Sequence, residues 1–198
     1  MNKFDLLITG VGGQGVVLAS DIIGEAALAA GYDVKKTDTL GMAQRGGSVV
    51  SHVRIGPQVW SPLIKEGEVD ILVAFEKLEA ARWSHYLRPG AIVIVNNHAL
   101  PPLSVNLGNE RYPSDEEIAD ILRRYSERIY FVDGTSRTRK LGNVRTLNMF
   151  MLGCASLFLP LKVHVWKDSI SQRVSPGMRQ INIATFDLGR KEMRGVRI

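Results

Sequence analysis

The run Phe4-Asp5-Leu6-Leu7-Ile8-Thr9-Gly10-Val11-Gly12-Gly13-Gln14-Gly15-Val16-Val17-Leu18-Ala19 decides the fold class. Its first six residues are a short apolar run stopped by glycines, and Val16 to Ala30 then reads as a helix stopped by Gly31. Tyr32 to Thr37 resumes directly after that glycine as a second strand, so two strands flank one helix in a βαβ unit.

Outward from that unit, apolar runs continue to alternate with helical patterns. Ser48 to Ile55 alternates, with Val49, Ser51, Val53 and Ile55 on the face expected to look inward and Ser48, Val50, His52 and Arg54 on the other. After the Gly56-Pro57 turn, Trp60 to Ile64 is expected to return as a short partner strand, a hairpin-like addition. Val69 to Phe75 and Ala91 to Val95 are near-continuous apolar runs of the kind buried on both faces of a parallel sheet, with a helix from Glu76 to Leu87 between them. Asn96 to Pro113 is an irregular excursion, and Ser114-Asp115-Glu116-Glu117 is a capping box opening a helix to Tyr125. A strand at Ile129 to Val132, an apolar helix from Asn143 to Leu159, a polar helix near Trp166 to Arg173 and a helix from Ile181 to Leu188 complete the chain. The expected fold is a three-layer α/β domain over residues 1–189, with a mostly parallel Rossmann-like sheet, helices on both faces and a hairpin-like addition. Residues 190–198 are expected to be a mobile basic tail.

Composition removes several function classes. The chain has 198 residues, 45% hydrophobic and 23% charged, which is ordinary globular usage. The uncharged run Thr146 to Leu161 contains Asn148, Gly153 and Pro160 and falls short of the ~20 apolar residues of a membrane helix. The start of the chain lacks the uninterrupted apolar stretch of a signal peptide, so no membrane association and a cytoplasmic location are expected. A net charge of +5 favours acidic or phosphorylated partners, but its spread along the chain argues against a nucleic-acid surface. One cysteine, Cys154, rules out disulfide frameworks, Cys-ligated zinc and iron–sulfur clusters built by this chain alone, and it reads as a small buried hydrophobe.

Gly10-Val11-Gly12-Gly13-Gln14-Gly15 matches G-x-G-x-x-G after a strand and before a helix, where backbone amides and the helix dipole can receive a phosphate. Three readings stay open: glycines that only let strand and helix pack, a nicotinamide or flavin dinucleotide, or another phosphate such as that of coenzyme A. The dinucleotide reading wants an acid ending the second strand, yet that strand offers Lys35 and Lys36 before a late Asp38. A second cluster, Gly41-Met42-Ala43-Gln44-Arg45-Gly46-Gly47-Ser48, is a polar glycine-bearing loop from which Arg45 is expected to project beside the first loop. His52, His85, His98 and His164 lack metal-ligand spacing, and Ser48, Ser51 and Cys154 lack a nucleophile elbow, so neither a catalytic residue nor a metal site is expected. The Gly-Asp-Gly and Asn-Asn pattern of magnesium-bound thiamine diphosphate is also absent.

Together, the two glycine clusters resemble the gamma domain of 2-oxoacid:ferredoxin oxidoreductases, and the form Met42-Ala43-Gln44-Arg45-Gly46-Gly47-Ser48-Val49 is most similar to the indolepyruvate type, its beta subunit. The resemblance extends through Ser61 to Ile64, Asp70 to Glu79, Tyr86 to Asn96 and Asn182 to Gly189. It implies a subunit that assists coenzyme A-dependent oxidative decarboxylation of an aryl pyruvate to an aryl-acetyl-coenzyme A, carbon dioxide and reduced ferredoxin. It implies a larger alpha subunit carrying thiamine diphosphate, magnesium and [4Fe–4S] clusters, through which ferredoxin is met. On this chain the first loop, Gly10, Gly12, Gly13, Gln14 and Gly15, is expected to offer amides to a coenzyme A phosphate or to an acidic side chain of the partner, and Met42, Gln44, Arg45, Gly46, Gly47 and Ser48 are expected to form a partner- or substrate-facing loop. The competing classes are a stand-alone NAD(P)-binding Rossmann-type protein and a pure assembly protein.

Overall fold

The computed structural model describes residues 2–41 and 46–196. Along the chain the elements are β1 (Phe4–Val11), α1 (Val16–Ala29), β2 (Asp33–Leu40), β3 (Ser48–Gly56), β4 (Val69–Ala74), α2 (Lys77–Arg82), β5 (Leu87–Asn96), α3 (Leu103–Asn106), α4 (Asp115–Arg123), β6 (Arg128–Val132), α5 (Gly134–Lys140), α6 (Leu147–Ala155), α7 (Val163–Arg173) and α8 (Arg179–Gly195). The six strands form one sheet in the order β2-β3-β1-β4-β5-β6. β1, β4, β5 and β6 are parallel neighbours, while β3 runs antiparallel to both β1 and β2.

β1, α1 and β2 do form a parallel crossover, as the glycine-stopped helix predicts, but β3 lies between its two strands. The loop 41–47 therefore connects a β2–β3 hairpin. The return strand expected at Trp60 to Ile64 is absent: β3 has already spent one edge on β1 and the other on β2, so those residues have no ladder to join. The predicted inward face of β3 is correct, with Val49, Val53 and Ile55 in the core, but its opposite face is not open to water. Val50 and His52 are buried there too, and only Ser48 and Arg54 keep partial exposure. A strand flanked on both edges in a sheet covered on both faces has two interiors to fill.

Those interiors are distinct. Leu6, Ile8, Val53 and Val73 face a layer that includes α1, α6 and α8, where Ile22, Phe150, Trp166 and Phe186 are fully buried. Leu7, Val50, Leu72 and Val93 face α2 and α4, where Ala80, Ile118 and Leu122 pack. The Ser114 box caps α4 as expected, the hydroxyl accepting from the Glu117 N–H and the Glu117 carboxylate accepting from the Ser114 N–H at 2.7 Å, although the helix ends at Arg123. The helix expected from Glu76 to Leu87 is α2 followed by one 3-10 turn at Ser84–Tyr86, and Arg88-Pro89-Gly90 lies within β5.

The C-terminal third departs most from expectation. α5, a polar segment with no apolar period, has no counterpart in the sequence reading, and the helix expected from Asn143 to Leu159 is a 3-10 turn at Val144–Thr146 followed by the shorter α6. The final helix does not stop at Gly189 but runs to Gly195 with Met193 buried, so residues 190–195 are not a free tail. Gly189 is a contact rather than a terminator. A Cβ there would lie 2.0 Å from the Phe150 carbonyl oxygen, and a Cβ at Gly153 would lie 2.1 Å from that of Phe186, so α6 and α8 touch backbone to backbone.

Because neither backbone can yield to a methyl at that distance, Gly189→Ala is expected to destabilise the fold by about 3 kcal/mol or more. Gly195→Ala, where a Cβ meets open space, is expected to be near neutral, and chemical denaturation of the two variants checks the contrast.

Candidate functional site

The first glycine loop leaves the C-terminal end of β1 at the centre of the sheet, where the antiparallel strand meets the parallel ones. Gly13 and Gly15 have φ of 102° and 82°, in the left-handed region that glycine alone enters cheaply. Gln14 holds the turn from inside: its Oε1 accepts the Val11 N–H at 2.7 Å and its Nε2 donates to the Phe75 carbonyl at 3.1 Å. A Cβ on Gly10 would sit 2.8 Å from Gln14 Oε1 and 2.9 Å from Val16 Cγ2, so this glycine makes room for that clamp.

The two loops are joined through the backbone. The Gly12 N–H donates to the Gly47 carbonyl at 2.8 Å, and the Gly46 N–H reaches the Gly12 carbonyl at 3.5 Å. Gly46, Gly47 and Ser48 are thus brought to the glycine loop, whereas Met42, Gln44 and Arg45 lie outside the described residues. Ser48, whose role was expected to be partner-facing, turns its hydroxyl onto the Glu79 carboxylate of α2.

Two hollows flank the loop. One, of about 310 Å³, is lined by Gly12, Gly13, Gly15, Val16, Val17 and Leu40. It lies at the start of α1, whose first-turn N–H groups have no intrahelical acceptor and no side-chain cap. The other, of about 190 Å³, lies on the β5–β6 side and includes Gly13, Gln14, His98, Thr135 and Arg145.

Several of these residues carry no signal in the motifs. Glu76 and Glu79, both buried, follow the end of β4. Glu76 caps α2 by accepting the Glu79 N–H at 3.0 Å, and it also receives the Leu100 N–H at 3.0 Å and the Tyr112 hydroxyl. Glu79 pairs with Arg82 at 3.1 Å, and burial raises its carboxyl above the ordinary range despite the hydrogen bond from Ser48. Asn96, fully buried, donates to the Phe75 carbonyl at 3.0 Å and to Thr135 Oγ1 at 2.9 Å, and accepts the Thr135 N–H at 3.1 Å. The available signal was two acids directly after an apolar strand, and an Asn at the end of another, where buried polar groups need partners.

The acid that a dinucleotide site requires is otherwise engaged. Asp38 accepts from Ser51 at 2.6 Å and from Lys36 at 2.8 Å, lies level with Ile8 across Ser51, and has all of β3 between it and β1. Burial, and then the Arg54 charge, lower the His52 imidazole below its ordinary range, and its Nδ1 accepts the Ile64 N–H at 3.3 Å. Cys154 is fully buried and its thiol is pushed up by that burial. Among the described residues no group of three His, Cys, Asp or Glu side chains is placed to hold a metal ion, and no helix is long and apolar enough to cross a membrane.

Residues 5–192 match the pyruvate ferredoxin/flavodoxin oxidoreductase family model. The indolepyruvate oxidoreductase subunit IorB of Pyrococcus horikoshii is 37% identical over 194 residues, 96% of each chain. The gamma subunit of a keto/oxoacid ferredoxin oxidoreductase from Geobacter sulfurreducens superposes with a TM-score of 0.71 at 21% identity, over 98% of this chain and 99% of that one. The 2-oxoglutarate:ferredoxin oxidoreductase of Magnetococcus marinus, solved with 2-oxoglutarate, coenzyme A and succinyl-CoA, gives 0.76 at 18% identity, covering all of this chain and 32% of that one.

A carboxyl whose folded-state pKa is raised binds its proton more tightly in the folded than in the unfolded chain, so stability falls as pH rises from the unfolded value of ~4.3 through the raised one. Glu79→Gln removes that titration. The difference in unfolding free energy between the wild type and Glu79→Gln is therefore expected to shift in favour of the variant between pH 4 and pH 7, as read by urea denaturation at each pH.

Proposed function

The chain belongs to the pyruvate ferredoxin/flavodoxin oxidoreductase family, and from that premise we propose that it is the small subunit of an indolepyruvate-type 2-oxoacid:ferredoxin oxidoreductase. In this reading it assists the oxidative decarboxylation of an aryl pyruvate with coenzyme A, yielding an aryl-acetyl-coenzyme A, carbon dioxide and reduced ferredoxin, in the cytoplasm. The observation that carries the proposal is the backbone pairing of Gly12 with Gly46 and Gly47, which makes one surface of the two motifs that define the resemblance.

The residues of this chain do not fit the reaction's redox groups. Four thiolates are needed for a [4Fe–4S] cluster, and the single cysteine is sealed in the core. Thiamine diphosphate, magnesium and the clusters are therefore assigned to a larger alpha subunit, and no step here is routed through them.

What this chain supplies is a wall. The start of α1 and the amides after Gly12 receive a phosphate of coenzyme A or an acidic side chain of the partner, since the uncapped first turn carries partial positive charge. Gly10 makes room for the Gln14 clamp that shapes that loop, and the Gly12 N–H is already committed to Gly47. The loop bearing Met42, Gln44 and Arg45 faces the partner or the substrate, with Arg45 offering a forked contact to carboxylate or phosphate. Closing such a wall over a low-potential intermediate excludes water and oxygen.

Anaerobic affinity purification of the chain from its native cells, with mass spectrometry and a visible spectrum of the eluate, tests the subunit assignment. A large cysteine-rich, thiamine-binding chain with a brown iron–sulfur absorbance is expected, and a colourless, partner-free protein overturns it. Within the complex, Arg45→Ala is expected to weaken the apparent affinity for coenzyme A, substrate or alpha subunit by about tenfold, the scale of one charge-assisted contact.

A further inference from the structure

We infer that the hollow beside Gln14, His98, Thr135 and Arg145 is an oxyanion site, taking a phosphate or carboxylate carried on a short apolar stem. It lies on the opposite flank of the glycine loop from the start of α1 and does not depend on the subunit assignment above.

Thr135 is 7% exposed and its Oγ1 accepts from Asn96 Nδ2, leaving a hydroxyl proton with no acceptor among the described residues. Gln14 Nε2 spends one hydrogen on the Phe75 carbonyl and has a second to give. Arg145 is exposed, contributes to the same hollow and makes no ion pair among the described residues. The lining thus offers donors and no carboxylate. Glu76, which reaches the wall through the Leu100 N–H, is already occupied by Glu79 and Tyr112 as well. Asp133, adjacent to Gly134, receives the Asn97 amide at 3.4 Å. A buried donor without an acceptor is costly, and an anion supplies what is missing.

Size and charge narrow the ligand. At about 190 Å³ the hollow is smaller than the ~300 Å³ at which sites for drug-sized molecules begin, so it admits a terminal group rather than a nucleotide. Leu100, Val144 and Leu147 form its apolar part, which suits a few methylenes behind the charged head. The segment that supplies Thr135, Val144, Arg145 and Leu147 to it is also basic: residues 134–147 contain Arg137, Arg139, Lys140 and Arg145 and no Asp or Glu, with Arg137 paired to Glu192. Such a run attracts anions at long range, while the donors select at contact.

Titration of the full chain with butyl phosphate and, separately, with butyrate tests the inference, using amide chemical shifts to locate binding. Saturable binding that moves Gly13 and Thr135 is expected for at least one probe, and the tighter of the two identifies whether the head group is phosphate or carboxylate. Arg145→Ala is expected to weaken binding by about tenfold, and Thr135→Val by about threefold to tenfold. Arg124→Ala, at the far end of the sheet, leaves affinity unchanged, and because Arg145 is exposed its variant keeps the wild-type melting temperature. Failure of both probes to saturate, equal affinity in Arg145→Ala and the wild type, or shifts confined to Val16 and Val17 overturns the inference. The last result would locate anion binding at the α1 flank, leaving the proposed coenzyme-facing loop intact.

Discussion

One carbonyl oxygen organises the functional end of this molecule. Phe75 directly follows β4 in the core, and its carbonyl accepts from the side-chain amides of both Gln14 and Asn96. Through those two bonds the glycine loop after β1, the end of β4, the end of β5 and, by way of Thr135, the start of α5 are fixed to one point. In a low-dielectric interior such bonds are strong and their loss leaves several polar groups unpaired, so the network sets geometry as well as stability. The next residue, Glu76, extends it to the Leu100 and Tyr112 side of the excursion, and Glu79 extends it to Ser48.

Much of this was legible in the sequence, and the limits have physical causes. The glycine loop, the helix after it, the buried strands β4 and β5 and the Ser114 cap each rest on local signals: periodicity, glycine stops and a hydroxyl three residues before a carboxylate. Strand pairing is not local. Nothing in Ser48 to Ile55 says that it will insert between two strands that precede it, and the burial of Val50 and His52 follows from that insertion alone. Gly189, directly after the expected helix end at Leu188, shows the same limit, since a glycine that permits a helix crossing has the same one-letter code as a glycine that ends a helix.

The candidate site divides along the same line. Both glycine clusters were visible as motifs, and their meeting at Gly12 and Gly47 joins residues that are close in space because β3 returns beside β1. Glu79, Asn96, Thr135 and Arg145 were not visible, because each acts through a partner distant in sequence: Ser48, Phe75, Asn96 and the hollow, respectively. Gln14 is the instructive case. It sits inside the motif, yet its Oε1 and one amide hydrogen are spent as an internal strut, which leaves a single hydrogen for a ligand.

The insertion of β3 also dictates the order in which the molecule can be made. β1 and β2 flank a helix and run the same way, yet no ladder joins them, so the first half of the sheet has nothing to close on until residues 48–56 have left the ribosome. A nascent chain ending in the loop 41–47 would display two unpaired strands, each seeking the same missing neighbour, and would be open to pairing with another such chain. The glycine loop waits for the same event, because the acceptor of the Gly12 N–H is Gly47 itself. The glycine loop can therefore reach its final geometry only after residues some three dozen positions further along the chain have been made.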